Sequence, residues 1–389
     1  MGKDIHRKRI VSIDFVRGFI MILMALDHVR QFFHIDSFYY SPTDLSQADS
    51  ATFWTRFITH FCAPLFIFLA GISARILGQK LLDYQLSKWL VIRGLWLIIL
   101  EITIVKLVTL FNLNYDTIVL QVIWVIGVAM IFLAFFLHLP FKIGLTITII
   151  GLIGHHFMEF INMDNSTLWV FLYQFKLIQL GSINVFVAYQ VIPWVFVITL
   201  GYYIGEWYLA EYNLKERRNQ LLYLGIAMIG LFFIGRLINS YGDPNQWELG
   251  SLIHTINSFF NVNKYPPSLF YLAITIGSGL VLLSLSESWK GSWVDKLVII
   301  GRVPLFYYIV HFLLIHSLAL IYALSSGYQF SDMIIDVWIT TQTELRGFGT
   351  SLFGVYLIWI VVILIMYPLS NWFDKVKNSQ YGKWWVSML

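Results

Sequence analysis

The sequence predicts an all-α fold: a polytopic integral membrane helical bundle of about ten transmembrane helices, built as a single domain over residues 1–389. Three observations carry this expectation. Hydrophobic residues make up 58% of the chain against 12% charged, and the mean hydropathy of +0.71 lies well above that of soluble domains. The apolar residues gather into runs of about 20, the length an α-helix needs to cross a hydrocarbon core. Lys and Arg concentrate in alternate connections between those runs, as they do when one set faces the cytoplasm.

Punctuation by Gly, Pro and charge starts the ten spans near residues 11, 55, 89, 118, 142, 187, 219, 267, 303 and 349. One set of connections holds Lys3, Arg7, Lys8 and Arg9, then Arg75, Lys80, Lys88 and Arg93, then Lys142, and later Lys215, Arg217, Arg218, Lys290, Lys296, Arg302, Lys375, Lys377 and Lys383. That set puts both termini in the cytoplasm. The opposite set carries Asp36, Asp44, Asp49, Asp116, Asp164, Asp243, Asp332 and Asp336 and faces outward. Three of its segments, 158–190, 239–267 and 325–347, are long. They either roof a site for an external substrate or merely cap the bundle. Within the first, LWVFLYQFKLI is too short to span and suits the interface or a cavity. Trp169, Tyr173 and Trp247 suit sugar stacking and interfacial anchoring alike.

Composition also excludes. No long polar block is left for a soluble catalytic domain, so any chemistry belongs inside the bundle or at its rims. The net charge of +4 is small, and its basic residues mark topology rather than nucleic acid. A single cysteine, Cys62, rules out an internal disulfide and a cysteine-based metal cluster, and no metal site is expected. The first span is full length without a small-residue cleavage pattern, so no cleavable signal is expected. No strong internal repeat stands out, which weakens an inverted-repeat transporter reading.

The first span, SIDFVRGFIMILMALDHVRQFFH, holds Asp14, Arg17, Asp27, His28, Arg30 and His34, each costly in hydrocarbon unless it faces protein or water. At about 100° per residue, Asp14, Arg17 and His28 share one side, with Asp27 and His34 beside it. Arg17 and His28 stand roughly 16 Å apart along the axis, so one helix offers a cation near one membrane face and an imidazole deeper in. The second span brings Arg56, Thr59 and His60 to its outer end and contains Pro64, which frees a backbone carbonyl. The ninth, GRVPLFYYIVHFLLIHSLAL, repeats the pattern with Arg302 and a deeper His311, followed by His316. An anionic ligand entering from the cytoplasm with an inward-reaching reactive end would use this combination. Plainer readings stand beside it: Asp14 and Arg17 as an i,i+3 ion pair, His311 and His316 as structural hydrogen-bond partners, and His155 and His156 as a solvated outer rim.

The segments SIDFVRG and LMALDHVRQFFH resemble the heparan-α-glucosaminide N-acetyltransferase family, in particular its prokaryotic membrane homologues. THFCAPLFIFLAGISA, KYPPSLFYLAITIGSGL, IGRVPLFYYIVHFLLIH and YPLSNWF extend the resemblance from the first span to the last. It implies a transmembrane acyltransferase of the prokaryotic plasma membrane that takes an acetyl group from cytoplasmic acetyl-CoA to an amine or hydroxyl of an extracytoplasmic sugar or glycan such as glucosamine. His28 stands where the lysosomal enzyme has a functional Asn, His34 is nearest to the family's active-site histidine after a gap, and His60 replaces an Asp. His311 matches a histidine of the family's late segment. On this resemblance the nucleotide end of CoA meets Arg17, Arg75, Arg93 or Arg302, with Asp14 among them, and the thioester sits near His28. A histidine then acts as general base or is acetylated first, with Asp27 stabilising the imidazolium and His34 and His311 completing the catalytic set. The implied partners are acetyl-CoA, the glycan acceptor and membrane lipid, without nucleic acid, and homo-oligomerisation is left open. The rival readings are a proton-coupled transporter of a small anionic solute, since intramembrane Asp, His and Arg equally suit a proton relay, and a structural or assembly protein.

Overall fold

The computed structural model describes residues 10–161, 163, 166–209, 211–380, 383 and 386; Lys3, Arg7, Lys8, Arg9 and Asp164 of the charge pattern lie outside the described residues. The chain opens with α1 (Val11–Phe33), α2 (Ser50–Thr59) and α3 (Cys62–Gly78). Next come α4 (Asp83–Leu100), a π-helical turn at Glu101–Val105, and α5 (Lys106–Leu110). Strand β1 (Thr117–Leu120) leads into α6 (Val122–Phe136), α7 (Phe141–Gly154) and α8 (Thr167–Tyr173). Strands β2 (Lys176–Leu180) and β3 (Ile183–Val187) precede α9 (Trp194–Ile204), α10 (Leu214–Ile238), α11 (Leu252–Phe260) and α12 (Leu269–Ser286). The last helices are α13 (Ser292–Gly301), α14 (Pro304–Ser325) and α15 (Leu352–Ser379).

Six helical stretches are long and apolar enough to cross a membrane: Ser50–Gly78, Phe141–Phe160, Leu214–Ile238, Leu269–Ser286, Pro304–Ser325 and Leu352–Ser379. Helices also stand where the other four spans are expected, but they are too charged or too short to qualify by themselves. Asp14, Arg17, Asp27 and Arg30 lie in α1, and Asp83, Lys88 and Arg93 in α4. The helices α6 and α9 run only 15 and 11 residues.

The all-helical expectation needs one correction. The strands form a small sheet in the order β1-β3-β2, with β1 and β3 parallel and β2 and β3 antiparallel. The spans expected near 118 and 187 therefore begin as strands, and their helices start later, at Val122 and Trp194. TIVL and INVFV are rich in β-branched and aromatic residues, and Gly181, at φ +63°, turns β2 into β3. LWVFLYQFKLI resolves into α8 and β2. His155 and His156 are also corrected: both are buried rather than solvated, His155 Nε2 lying 3.0 Å from the Pro267 carbonyl and His156 Nδ1 3.0 Å from Glu159.

At the centre lies α1, in contact with α2, α3, α12, α13, α14 and α15. Its approach to α13 is a backbone contact. A methyl group at Gly18 would run into the Leu297 carbonyl, and one at Gly301 into that of Asp14. The second span breaks between α2 and α3, as Pro64 dictates. Lacking an N–H, Pro64 leaves the His60 carbonyl free, and the Tyr271 hydroxyl of α12 donates to it at 2.8 Å. The 239–268 connection is held down by buried Arg236, which donates to the carbonyls of Phe259 (2.8 Å), Asn245 (2.6 Å) and Ser258 (2.8 Å). Asp243 completes the clamp by accepting from the Asn245 and Asn263 amides at 2.8 and 3.0 Å.

Candidate active site

Among the described residues, two chambers of about 1160 and 900 Å³ open into the bundle. The larger opens at the end of the bundle that holds Ile10, Lys80, Arg217, Arg302 and Lys377. The smaller opens at the other end, beneath the connections that carry Tyr39 to Gln47, Asn261 to Tyr265 and Val337 to Thr341. Phe66 of α3, Val122 of α6 and Tyr308 of α14 belong to both walls. The chambers therefore meet back to back at these three residues, in the interior of the bundle.

Cations dominate the larger chamber. Arg17 is pinned across three helices: Nη1 donates to Asp14 Oδ1 at 3.0 Å and to the Gly301 carbonyl at 3.3 Å, and Nη2 to Ser73 Oγ at 2.9 Å. Arg302 approaches Asp14 at 3.9 Å and Asp374 at 3.5 Å, and Arg93 lies over the Trp89 ring at 5.5 Å. So Asp14, Arg17, Arg93 and Arg302 share one wall system. Arg75 stands apart: it pairs with Glu206, donates to the Tyr202 hydroxyl at 3.1 Å and lines neither chamber. The i,i+3 ion pair of Asp14 and Arg17 is real, and it also forms part of the chamber wall.

In the smaller chamber His28 is the first member of a hydrogen-bonded chain. Its Nδ1 lies 2.7 Å from His311 Nε2, and His311 Nδ1 lies 2.9 Å from the Tyr307 carbonyl. A carbonyl only accepts, so His311 carries its proton on Nδ1 and presents a bare Nε2. The hydrogen of His28 then sits on Nδ1, and the lone pair of His28 Nε2 is left unused. His311 is fully buried behind His28 and does not reach the chamber, and Phe312 stacks on the His28 ring at 3.9 Å between centroids. Asp27 is committed elsewhere: it accepts from Arg30 at 2.9 Å and pairs with Arg56. His34 caps the end of α1, buried and outside both chambers, with its backbone bridged to Thr350. His316 turns to the Met333 carbonyl at 2.9 Å.

Around His28 the chamber presents Arg30, Arg56, His60 and Lys264 together with Phe175, Phe186, Tyr189, Tyr265 and Trp338. Neither ring nitrogen of buried His60, nor Arg30 Nε, has a hydrogen-bond partner. Lys264 lies 5.2 Å from the Tyr265 ring and 5.8 Å from that of Tyr189, and burial, reinforced by the nearby Arg56 guanidinium, pulls its ammonium below the ordinary lysine range. The aromatic wall differs from the one the sequence suggested, since Trp169, Tyr173 and Trp247 line neither chamber. Lys264 and Tyr308 escaped the sequence reading as site residues. A lysine wedged between Asn263 and the Tyr265-Pro266-Pro267 run was the available signal for the first, and the one-turn spacing of Tyr308 and His311 for the second.

A family profile described as heparan-alpha-glucosaminide N-acetyltransferase, catalytic, matches residues 9–238, more than half of the 389-residue chain. No curated protein matches it. The matched region includes Arg17, Asp27, His28 and His34, whereas Lys264, Tyr308 and His311 come from beyond it. The breadth of that match makes the chain a member of the heparan-alpha-glucosaminide N-acetyltransferase catalytic family, a family of membrane transferases.

Proposed function

We propose that the protein is a ten-span acetyltransferase that passes the acetyl group of acetyl-CoA, bound in the larger chamber from the cytoplasm, to an amine or hydroxyl of a sugar or glycan bound in the smaller chamber from the extracytoplasmic side. One observation carries the reading: two chambers from opposite ends of the bundle meet beside a histidine whose free lone pair is fixed by a hydrogen-bonded chain. The expected alternation of basic and acidic connections supports the orientation, with both termini cytoplasmic and the bundle in a prokaryotic plasma membrane. Arg17, Arg93 and Arg302 suit the phosphates of the nucleotide end. The thin pantetheine arm then carries the thioester inward to the junction. His28 Nε2 takes the proton of the acceptor amine or hydroxyl as it attacks the thioester carbonyl, and His28 Nδ1–H stays on His311. Collapse of the tetrahedral intermediate re-forms the carbonyl, breaks the C–S bond and returns the proton to the departing thiolate. Separate chambers hold both substrates at once, so transfer is direct. Steady-state kinetics should give intersecting double-reciprocal lines, and parallel lines would instead place the acetyl group on His28 first.

Calorimetry with CoA tests the donor half. Wild-type protein is expected to bind saturably, and Arg17→Ala to raise Kd about tenfold, the loss of one charge-assisted contact. An absence of binding to folded wild type would remove the acetyl-CoA reading and favour the transporter. For the acceptor half, Arg30, Arg56 and Lys264 face Asp27, while Asp44, also on the wall, is tied to Ser46 and Gln47. This cationic surplus suits an acceptor bearing an acidic group. Lys264→Met should raise the acceptor KM about tenfold and leave the acetyl-CoA KM unchanged. Equal loss for acidic and neutral acceptors would argue against that contact.

A further inference from the structure

We propose that Tyr308 is a catalytic residue whose hydroxyl donates a hydrogen bond to the thioester carbonyl and holds the oxyanion formed during transfer. The inference rests on the acetyl-CoA reading. A group that passes from one chamber to the other must cross the wall they share. Of the three described residues common to both chambers, Phe66 and Val122 have apolar side chains, and Tyr308 alone of the three brings a polar group to the shared wall. One backbone donor nearby, the Trp124 amide, is already engaged. The Glu101 carboxylate caps the start of α6, accepting from the Trp124 amide at 2.8 Å.

Tyr308 is also held in register with the proton acceptor. It lies one turn before His311 on α14, with its ring centroid 5.8 Å from that of His311 and 5.3 Å from Phe312, the residue stacked on His28. Tyr308 is buried, and no described residue takes a hydrogen bond from its hydroxyl. A hydroxyl in that position is a pre-aligned donor awaiting an acceptor. In the transfer step the acceptor nitrogen or oxygen bonds to the carbonyl carbon, its proton moves to His28 Nε2, and the carbonyl oxygen takes the negative charge against Tyr308 O–H. Tyr308 keeps its proton throughout. Collapse restores the C=O bond, expels the CoA thiolate and transfers the His28 proton to it.

The test uses the full-length protein in detergent with CoA and with acetyl-dethia-CoA, the ketone in which a methylene replaces the thioester sulfur. In wild type, the infrared C=O stretch of the bound ketone should move to lower frequency than in water-free solvent. Tyr308→Phe should bind CoA as wild type does, abolish that displacement and lower kcat by on the order of 10²-fold. CoA binding with an unchanged stretch and unchanged kcat in Tyr308→Phe would overturn the role of Tyr308 while leaving the acetyl-CoA reading standing. An undisplaced stretch in wild type would overturn it without any variant. Failure of wild type to bind either ligand would overturn both.

Discussion

His28→Ala is expected to lower acetyl transfer by about 10³-fold while leaving the Kd for CoA within about twofold of wild type. The size follows from what is removed. His28 faces the smaller chamber and has its proton placed by a fixed partner, through His311 Nε2 and the Tyr307 carbonyl. The selectivity follows from position, because His28 is absent from the wall of the larger chamber where the nucleotide end is held. His311→Phe preserves most of the ring packing but frees the His28 tautomer. It should therefore lower kcat by about tenfold or more with both KM values nearly unchanged, the signature of a positioning residue. Retention of more than a tenth of wild-type turnover in His28→Ala would eliminate the general-base assignment.

How far this site is legible in the sequence depends on sequence separation. Within α1 the helical period places Asp14 beside Arg17 and sets His28 about three turns further along, and the ion pair is present at 3.0 Å. The proline break in the second span is equally local. The contact that fixes the His28 tautomer joins residues 283 positions apart, and no periodicity in either helix encodes it. Asp27 shows the same limit. The resemblance implies that Asp27 stabilises a His28 imidazolium, whereas the fold turns its carboxylate to Arg30 and to Arg56 of a different helix. The resemblance makes His34 the nearest match to the family's active-site histidine, yet it falls at the helix cap, beyond the chamber. The sheet was hidden for another reason. β1 and β3 are short apolar runs joined almost directly to apolar helices, and hydropathy alone merges strand and span into one segment.

Gly301→Val should cost more than the roughly 1–3 kcal/mol of ordinary core overpacking and should disable CoA binding as well. Any Cβ at Gly301 would collide with the Asp14 carbonyl and crowd the Gly18 amide, both of them backbone atoms of α1 that cannot rotate aside. Relief requires α13 to move off α1, and that contact also shapes the larger chamber. The Gly301 carbonyl receives Arg17 Nη1 at 3.3 Å, and the next residue, Arg302, approaches Asp14 at 3.9 Å. Displacing α13 thus disturbs two of the cations assigned to the nucleotide end, so the CoA Kd should rise by more than in Arg17→Ala alone. Gly154 provides the control, since a Cβ there meets nothing within 4 Å and Gly154→Ala should be neutral. The measurements are the thermal midpoint in detergent and the calorimetric Kd. A Gly301→Val protein with a wild-type midpoint would show that the helices are not in backbone contact, whereas a lowered midpoint with an unchanged Kd would separate this packing from the cation wall.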